Sequence, residues 1–493
     1  MSSGQSRDYV LVYVNGQEHR VRDELAFMQL ADYLRYEQGL YGTKIVCAEG
    51  DCGACSVLIG RKNEAGRLEY KPLNSCIQAM YQLDLAHVIT VEGLTPGDSL
   101  SPIQQAMVDC HGAQCGFCTP GFIVSLAALF DKSAEQDSPL CRQSVKGALS
   151  GNLCRCTGYE SIIKSALATQ TKDVLPVESQ YASGEILQAF DKHANVDVRI
   201  ETAAAAVFIP QDISAAVQFK RANEGTVIVS GGTDVCVNIN KRGLKPRNIL
   251  STCNLRGLKE LTIEGGQLIV GARVTLEELA DFVKDSVPEF YKILWVFGAP
   301  QIRYAGTLAG NIANGSPIGD TLPFLFAMEA AVEVTGVHGA RKIPICSLYK
   351  GYKTMDVTSD EIITRIMIPL PTPSETLRLF KVSKREHLDI SSLAAAVLIS
   401  CDAGSRQSSR IRSARVAFGG VGPTVMHLPL TESYLQGKEL KFATFEEAGA
   451  IAVSEITPIS DVRGSSDFRK QLAENIFLKF YFSLEAPEPA LTL

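Results

Sequence analysis

Cysteine is crowded into one end of this chain. Ten of its 14 cysteines precede residue 157, and four are spread over the remaining two thirds. A chain of 493 residues can bury a sizeable core without cross-links, and disulfide frameworks belong to small exported domains. Residues 1–7 are polar, lead into a predicted strand, and offer neither an apolar signal core nor a twin-arginine pair. The expectation is therefore a cytoplasmic protein whose crowded thiols bind metal. The dispersed Cys236, Cys253, Cys346 and Cys401 read as inert core thiols. Apolar residues make up 46% and charged residues 21%, an ordinary globular balance. With a formal net charge of −6 and no basic block, nucleic acid is not an expected partner. No apolar run approaches the ~20 residues of a membrane span.

Length predicts about three or four domains. The start reads as a hairpin: residues 9–14 are apolar and β-prone, Asn15-Gly16 signals a type I′ turn, and a second strand carries Val21. A helical face of Leu30, Tyr33 and Leu34 follows, stopping at Gly39, then a Gly- and Cys-rich loop over residues 42–55 and a strand over 56–59. This unit occupies residues 1–90. Residues 91–170 change to four short helices: one opening at Pro102, one running from Pro120-Gly121 to Phe130, and two over 142–149 and 160–168. Cysteines fill the loops between them, and Cys110 and Cys141 read as core thiols. Residues 171–200 lack an apolar period and read as a linker. Residues 201–375 alternate strands and helices with Gly-rich loops. Residues 376–493 carry strands and an amphipathic helix near the end.

The first cysteine run is Cys47, Cys52 and Cys55 with Cys76 further on, the C-x4-C-x2-C…C spacing of plant-type [2Fe–2S] ferredoxins. Four thiolates must surround two irons while backbone N–H groups face the sulfides, and Gly50 and Gly53 let the loop curl that closely. Zinc, the rival, more often takes two C-x2-C pairs. The second run is Cys115 and Cys118 with Cys154 and Cys156. That spacing alone also suits zinc; a second redox centre beside the first favours iron–sulfur.

Farther on, the β-branched run 227–229 ends in Ser230-Gly231-Gly232-Thr233-Asp234. A strand feeding a glycine turn presents N–H groups as an anion nest suited to a pyrophosphate, although an isolated Gly-Gly turn is more often a plain loop. It is not the G-x-G-x-x-G fingerprint, so a Rossmann site is not supported. Residues 306–320 have the same small, polar, turn-rich character.

Residues 43–55, 114–121 and 151–159 resemble the iron–sulfur half of the molybdenum hydroxylase (xanthine dehydrogenase/oxidase) family, and the two glycine-rich segments resemble its FAD domain. Within that family the chain is similar to the small subunits that fuse iron–sulfur and FAD portions, over residues 9–482. The resemblance implies an α+β multidomain fold: a ferredoxin-like β-grasp [2Fe–2S] domain, a four-helix [2Fe–2S] domain, a two-part α/β FAD-binding domain and a C-terminal α+β flavoprotein domain. It implies two clusters, on Cys47, Cys52, Cys55 and Cys76 and on Cys115, Cys118, Cys154 and Cys156. Gln114 matches a residue that hydrogen-bonds the pterin, its alternative being a solvated or buried polar group. Ile228, Val229, Ser230, Gly231, Gly232, Thr233, Asp234 and Val235 match the first FAD loop; Gly306, Thr307, Gly310, Asn311 and Asp320 match the second. Phe297, Ile363 and Lys381 match further FAD contacts, with plain core (Phe297, Ile363) or a solvated charge (Lys381) as alternatives. Ala309 departs from a family glycine and leaves that loop's shape open. Residues 461–469 resemble the family's tail and read as packing.

The implied reaction is hydroxylation of an electron-poor carbon, with electrons leaving a molybdopterin centre, crossing the clusters, and reaching FAD and then NAD. The chain leaves no room for a molybdopterin domain, so a large partner chain is expected, in a dimer of heterodimers. No catalytic residue is nominated here; His111 is assigned to packing or to facing the partner. The alternatives are the equivalent subunit of an aldehyde or other N-heterocycle dehydrogenase with a different acceptor, and a zinc-stabilised module with no redox role.

Overall fold

The computed structural model describes residues 6–95, 97, 99–402 and 409–485. They form two compact units, one of residues up to Arg256 with Gly298–Gly306, the other of Gly257–Phe297 with residues from Thr307 on.

The first unit is built on a five-stranded sheet in the order β2-β1-β5-β3-β4, from β1 (Val10–Val14), β2 (Gln17–Val21), β3 (Ser56–Lys62), β4 (Leu68–Asn74) and β5 (Ala86–Ile89). Strands β1 and β5 run parallel and the other pairs antiparallel. The Asn15-Gly16 turn takes φ of 47° and 84°, both positive as a type I′ turn requires. Strand β1 is apolar throughout because both of its faces are covered. Val10, Val12 and Val14 enter one core with Leu30, Leu34 and Ile77. Leu11 enters another with Leu58, Phe122, Leu126 and Phe130.

That second core is roofed by helices α1 (Pro102–Asp109), α2 (Thr119–Glu135), α3 (Arg142–Leu149) and α4 (Glu160–Ala168). Helix α1 starts at a capping box: Gln104 N–H donates to the Ser101 hydroxyl, and Ser101 N–H donates back to the Gln104 side chain at 2.8 Å. Helix α2 runs a turn past the expected Phe130. The stretch read as a linker is not featureless. Helix α5 (Ser183–His193) lies within it, with Ile186 and Phe190 buried and the Phe190 ring edge-on to Tyr13 at 5.8 Å. Two anchors four residues apart make one seam, too short to register as a period.

A second sheet, in the order Val198–Glu201, Ala206–Ile209, Asn248–Ser251, Val227–Val229, joins the first core through Val198, Ile200, Val207, Ile209 and Ile249. Helix Ile213–Ala222, capped by Asp212, supplies the crossover between its parallel strands.

The second unit holds an antiparallel five-stranded sheet in the order Leu261–Glu264, Gln267–Gly271, Ile362–Pro369, Ala331–Gly336, Gly339–Pro344. It also holds a four-stranded meander of Glu375–Val382, Leu393–Cys401, Ile411–Gly419 and Met426–His427. Helices Phe442–Glu455 and Ser466–Glu485 bury Phe445, Ala448, Phe477 and Phe480 against Val397, Val416 and Phe418 of this sheet. Arg469 is 1% exposed and ties the tail down: Nε donates to the Ser392 carbonyl, Nη1 to that of Ile459, and Nη2 to the Asp461 carboxylate at 2.8 Å. No described helix is long and apolar enough to cross a membrane.

Not all of the thiols assigned to cores are buried. Cys141 is exposed at the start of α3, where its sulfur accepts the Ser144 N–H at 3.4 Å; Cys346 is exposed and Cys110 only half-buried. Cys236 and Cys253 are buried, and Cys401 is half-buried.

A buried histidine links the hairpin to β4 and sets a pH dependence. His87 Nε2 accepts the Gly16 N–H at 3.0 Å, so the proton sits on Nδ1, which faces Tyr70 Oη at 2.8 Å. Burial lowers its pKa from 6.5 to about 4. The unfolded state therefore binds the extra proton between those values. His87 contributes about 3 kcal/mol above pH 6.5, lost as pH falls towards 4. Denaturant midpoints measured from pH 7 to 4 should fall less steeply for His87→Gln than for the wild type; identical slopes contradict this assignment.

Candidate functional site

The first cysteine loop, between the helical turns at 30–37 and strand β3, is curled by left-handed residues: Ala48, Gly50 and Gly53 have φ of 54°, 80° and 68°. Its sulfurs meet that of Cys76, which follows β4. Cys47 contacts the Cys52 and Cys76 thiols, and Cys55 contacts Cys76. Cys55 and Cys76 are buried, whereas Cys47 and Cys52 are half-exposed. The Asp51 N–H donates to Cys47 Sγ at 3.4 Å. The four sulfurs compete for protons. Donation from Cys52 and Cys76 drives Cys47 far below the usual thiol range, and the same bonds push Cys52 and Cys76 far above it. Such a set favours a bound cation that replaces the protons.

The second quartet joins the loop before α2 to the loop before α4. Cys115 and Cys156 lie 3.6 Å apart, both exposed, and Cys118 contacts Cys154. Burial, with Cys154 beside it, pushes Cys118 up to about 12. Thr157 Oγ1 donates to Cys154 Sγ at 3.2 Å, and the Cys154 N–H donates to Tyr159 Oη at 3.0 Å. Tyr159 itself has φ of 70°, strained for a non-glycine residue. Gln114, Phe117 and Leu153 are exposed around this quartet, as is His111.

The thiols of the second quartet thus meet in twos, 115 with 156 and 118 with 154, and those of the first run as a chain, 52 to 47 to 76 to 55. Among the described residues no three Cys, His, Asp or Glu side chains converge to hold a single metal ion. A tetrahedral zinc needs four donors on one point, whereas a two-iron group takes two thiolates per iron. The donor set fits the second.

The two cysteine segments touch backbone to backbone. The Leu153 N–H donates to the Cys52 carbonyl at 3.0 Å, and Asn152 Nδ2 to that of Gly53 at 3.2 Å. A Cβ on Gly53 would lie 2.3 Å from the Gly151 carbonyl oxygen, so glycine is required by contact as well as by its positive φ. Sequence reasoning missed Gln301, which is 1% exposed. Its Nε2 donates to Asn152 Oδ1 at 3.0 Å and to Ser125 Oγ at 3.1 Å, and lies 3.4 Å from Ser56 Oγ. A single amide in ordinary sequence carries no signal for such a role.

In the same unit, the glycine turn after Val227–Val229 makes its hydrogen bonds through carbonyls. Those of Ser230 and Gly231 accept from Gln82 and Gln78 at 3.0 Å each, and that of Gly232 accepts from Cys236 N–H. The N–H groups of Gly231, Gly232 and Thr233 have no acceptor among the described residues. Gly232 takes φ of 75°, and a Cβ on Gly231 would lie 1.9 Å from the Ala305 carbonyl oxygen. A turn with carbonyls held and N–H groups free is a cradle for phosphate oxygens. Asp234 is exposed and accepts from Asn238 Nδ2 at 2.8 Å. Ile228, Val229 and Val235 flank the turn in the strand and the following helix, and Gly306 also belongs to this unit.

The second unit holds the other nominated residues. Thr307 caps helix Leu308–Asn314, its Oγ1 accepting the Gly310 N–H at 2.9 Å. Ala309 lies inside that helix, where no left-handed backbone is needed. Asn311 Oδ1 accepts the Thr321 hydroxyl at 2.6 Å. Lys381 is 5% exposed and pairs with Asp320 at 2.8 Å, also donating to the Val296 carbonyl at 2.9 Å, so it is not a solvated charge. Phe297, next to Val296, is half-buried, as is Ile363, which pairs with Val334 across the sheet.

Three family models match. They are a [2Fe–2S] binding domain over residues 90–167, an FAD binding domain in molybdopterin dehydrogenase over 200–371, and a CO dehydrogenase flavoprotein C-terminal domain over 378–484. The chain is 28% identical to xanthine dehydrogenase 1 of Arabidopsis thaliana and 26% identical to aldehyde oxidase 4 of Cavia porcellus, over 96% and 98% of its length. It spans only 39% and 40% of theirs. Among solved structures, CO dehydrogenase from Oligotropha carboxidovorans is 26% identical with a TM-score of 0.51, over 56% of this chain and 94% of that one. Quinoline 2-oxidoreductase from Pseudomonas putida 86 shares the fold at 24% identity and a TM-score of 0.52, over 57% of this chain and 97% of that one. With iron–sulfur, FAD-binding and flavoprotein domains in this order, the chain belongs to the molybdenum hydroxylase family and carries its iron–sulfur and FAD portions.

Proposed function

We propose that this chain is the electron outlet of a xanthine dehydrogenase-type enzyme, taking electrons from a molybdopterin centre on a partner chain and delivering them to NAD. The observation that carries the reading is the pair of thiol quartets joined through Cys52 and Leu153. The bound groups would supply single-electron steps between a metal and a flavin that both handle pairs.

The chain's own residues would divide the work. Cys115 and Cys156, the exposed members of the second quartet, lie where a partner can approach, with Gln114 beside them as the donor to its pterin. The covalent step from Leu153 to Cys154, added to the hydrogen bond that the Leu153 N–H donates to the Cys52 carbonyl, is a short bonded route between quartets. The buried Cys55 and Cys76 keep water from the first quartet. Gly231, Gly232 and Thr233 would hold the FAD pyrophosphate with backbone N–H groups. Asp320 and Lys381 form a buried ion pair in the second unit.

Xanthine as substrate and NAD as acceptor rest on the xanthine dehydrogenase relatives, and a large partner in a dimer of heterodimers rests on family resemblance. A second reading, an aldehyde-oxidising counterpart with another acceptor, is favoured by the aldehyde oxidase relative.

Cys154→Ser, produced with its partner, should lower purine-driven flavin reduction by at least about a hundredfold and spare flavin reduction by NADH. Stopped-flow absorbance reads both, and purine-driven reduction at the wild-type rate contradicts the proposed order. Gly231→Val drives a side chain into the Ala305 carbonyl, so flavin content should fall by about tenfold or more while iron content holds. Full flavin occupancy in that variant contradicts the loop assignment.

A further inference from the structure

Two sites that the proposed function treats as separate are tied by three side-chain amides. Gln78 follows Cys76 by two residues, and its Nε2 donates to the Gly231 carbonyl of the glycine turn at 3.0 Å. Gln82 Nε2 donates to the neighbouring Ser230 carbonyl at 3.0 Å. Its Oε1 is itself held by the Ala79 N–H at 2.9 Å and the Cys236 thiol at 3.6 Å, so the amide cannot turn over without losing all three bonds. The tie also runs in the opposite direction. Asn240 lies on helix Val235–Arg242, which leaves the glycine turn, and its Nδ2 donates to the Cys76 carbonyl at 2.8 Å and the Ala48 carbonyl at 2.9 Å. Both carbonyls belong to the segments that carry the first thiol quartet.

We propose that Gln78, Gln82 and Asn240 are positioning residues that lock the first thiol quartet and the flavin phosphate turn into one unit, so that each site senses the state of the other. This rests on the functional reading above. Gln78 and Gln82 are 4% and 3% exposed, so their bonds are made out of water, where a lost partner is costly. A Cβ on Gly232 would lie 2.7 Å from the Gln82 amide, so only glycine lets the turn lie this close to it. The two N–H bonds of Asn240 offset the negative ends of the Cys76 and Ala48 carbonyls. Without them, adding an electron at the first quartet is less favourable. Coupling of this kind is reciprocal: whatever perturbs the quartet through Asn240 must also change flavin affinity.

The test uses the complete enzyme, with its partner chain, carrying Asn240→Leu or, independently, Gln78→Met. Potentiometric EPR reads the midpoint of each cluster, and flavin fluorescence reads the release and rebinding of FAD. In Asn240→Leu the first cluster's midpoint should move negative, the second cluster's should stay in place, and FAD should bind about tenfold more weakly. Gln78→Met should weaken FAD and perturb the first cluster's signal from the other side, and it decides the question if Asn240→Leu does not accumulate. An unmoved first cluster with unchanged FAD affinity, or equal shifts in both clusters, overturns the coupling alone. A wild-type enzyme lacking either EPR signal overturns the functional reading and the coupling with it.

Discussion

The first unit turns on one close approach. At Gly53 and Gly151 the two cysteine-bearing segments lie so near that no side chain fits between them, and the Leu153 N–H closes on the Cys52 carbonyl. Gly121, at the start of α2, presses on the same Gly53 carbonyl, where a Cβ would come within 2.2 Å. Three segments of unrelated sequence thus share one point, where the amides of Asn152 and Gln301 donate to the Gly53 carbonyl, the Ser125 hydroxyl and the Asn152 side-chain oxygen, while Gln301 Oε1 is buried with no partner among the described residues. A polar junction of this kind is stable only when nearly every member is paired.

The sheet behind this junction explains why the quartets hold their places. Strand β1 sends Val10, Val12 and Val14 to one core and Leu11 to the other, so the cysteine loop and the helical domain are packed on opposite faces of one rigid layer. The carbonyls of Ser230 and Gly231 in the glycine turn are held by Gln82 and Gln78, from the segment between β4 and β5.

Local chemistry was legible in the sequence and long-range partnership was not. The C-x4-C-x2-C run reads clearly because three donors come from one loop, and the Asn15-Gly16 hairpin reads because the turn's backbone demands those residues. The pairing of Cys115 with Cys156 and Cys118 with Cys154 depends on how two loops cross, which spacing does not encode. Lys381 and Asp320 were each legible as polar residues in a flavin region, but not as one buried ion pair, since 61 positions separate them. Cys141 and Cys346 show the reverse error: a lone thiol carries no mark of whether its backbone lies inside or outside. The helix at 183–193 escaped because its two fully buried anchors, Ile186 and Phe190, are too few to register as a period.

The account stands or falls on eight thiols gathered around four irons, two at each quartet. Mössbauer spectroscopy and elemental analysis of the freshly purified, iron-57-enriched protein test this most directly. The account predicts four irons per chain, all in two-iron clusters, with two distinct signals on reduction. Zinc at either quartet, or a single cluster of two irons per chain, would contradict it.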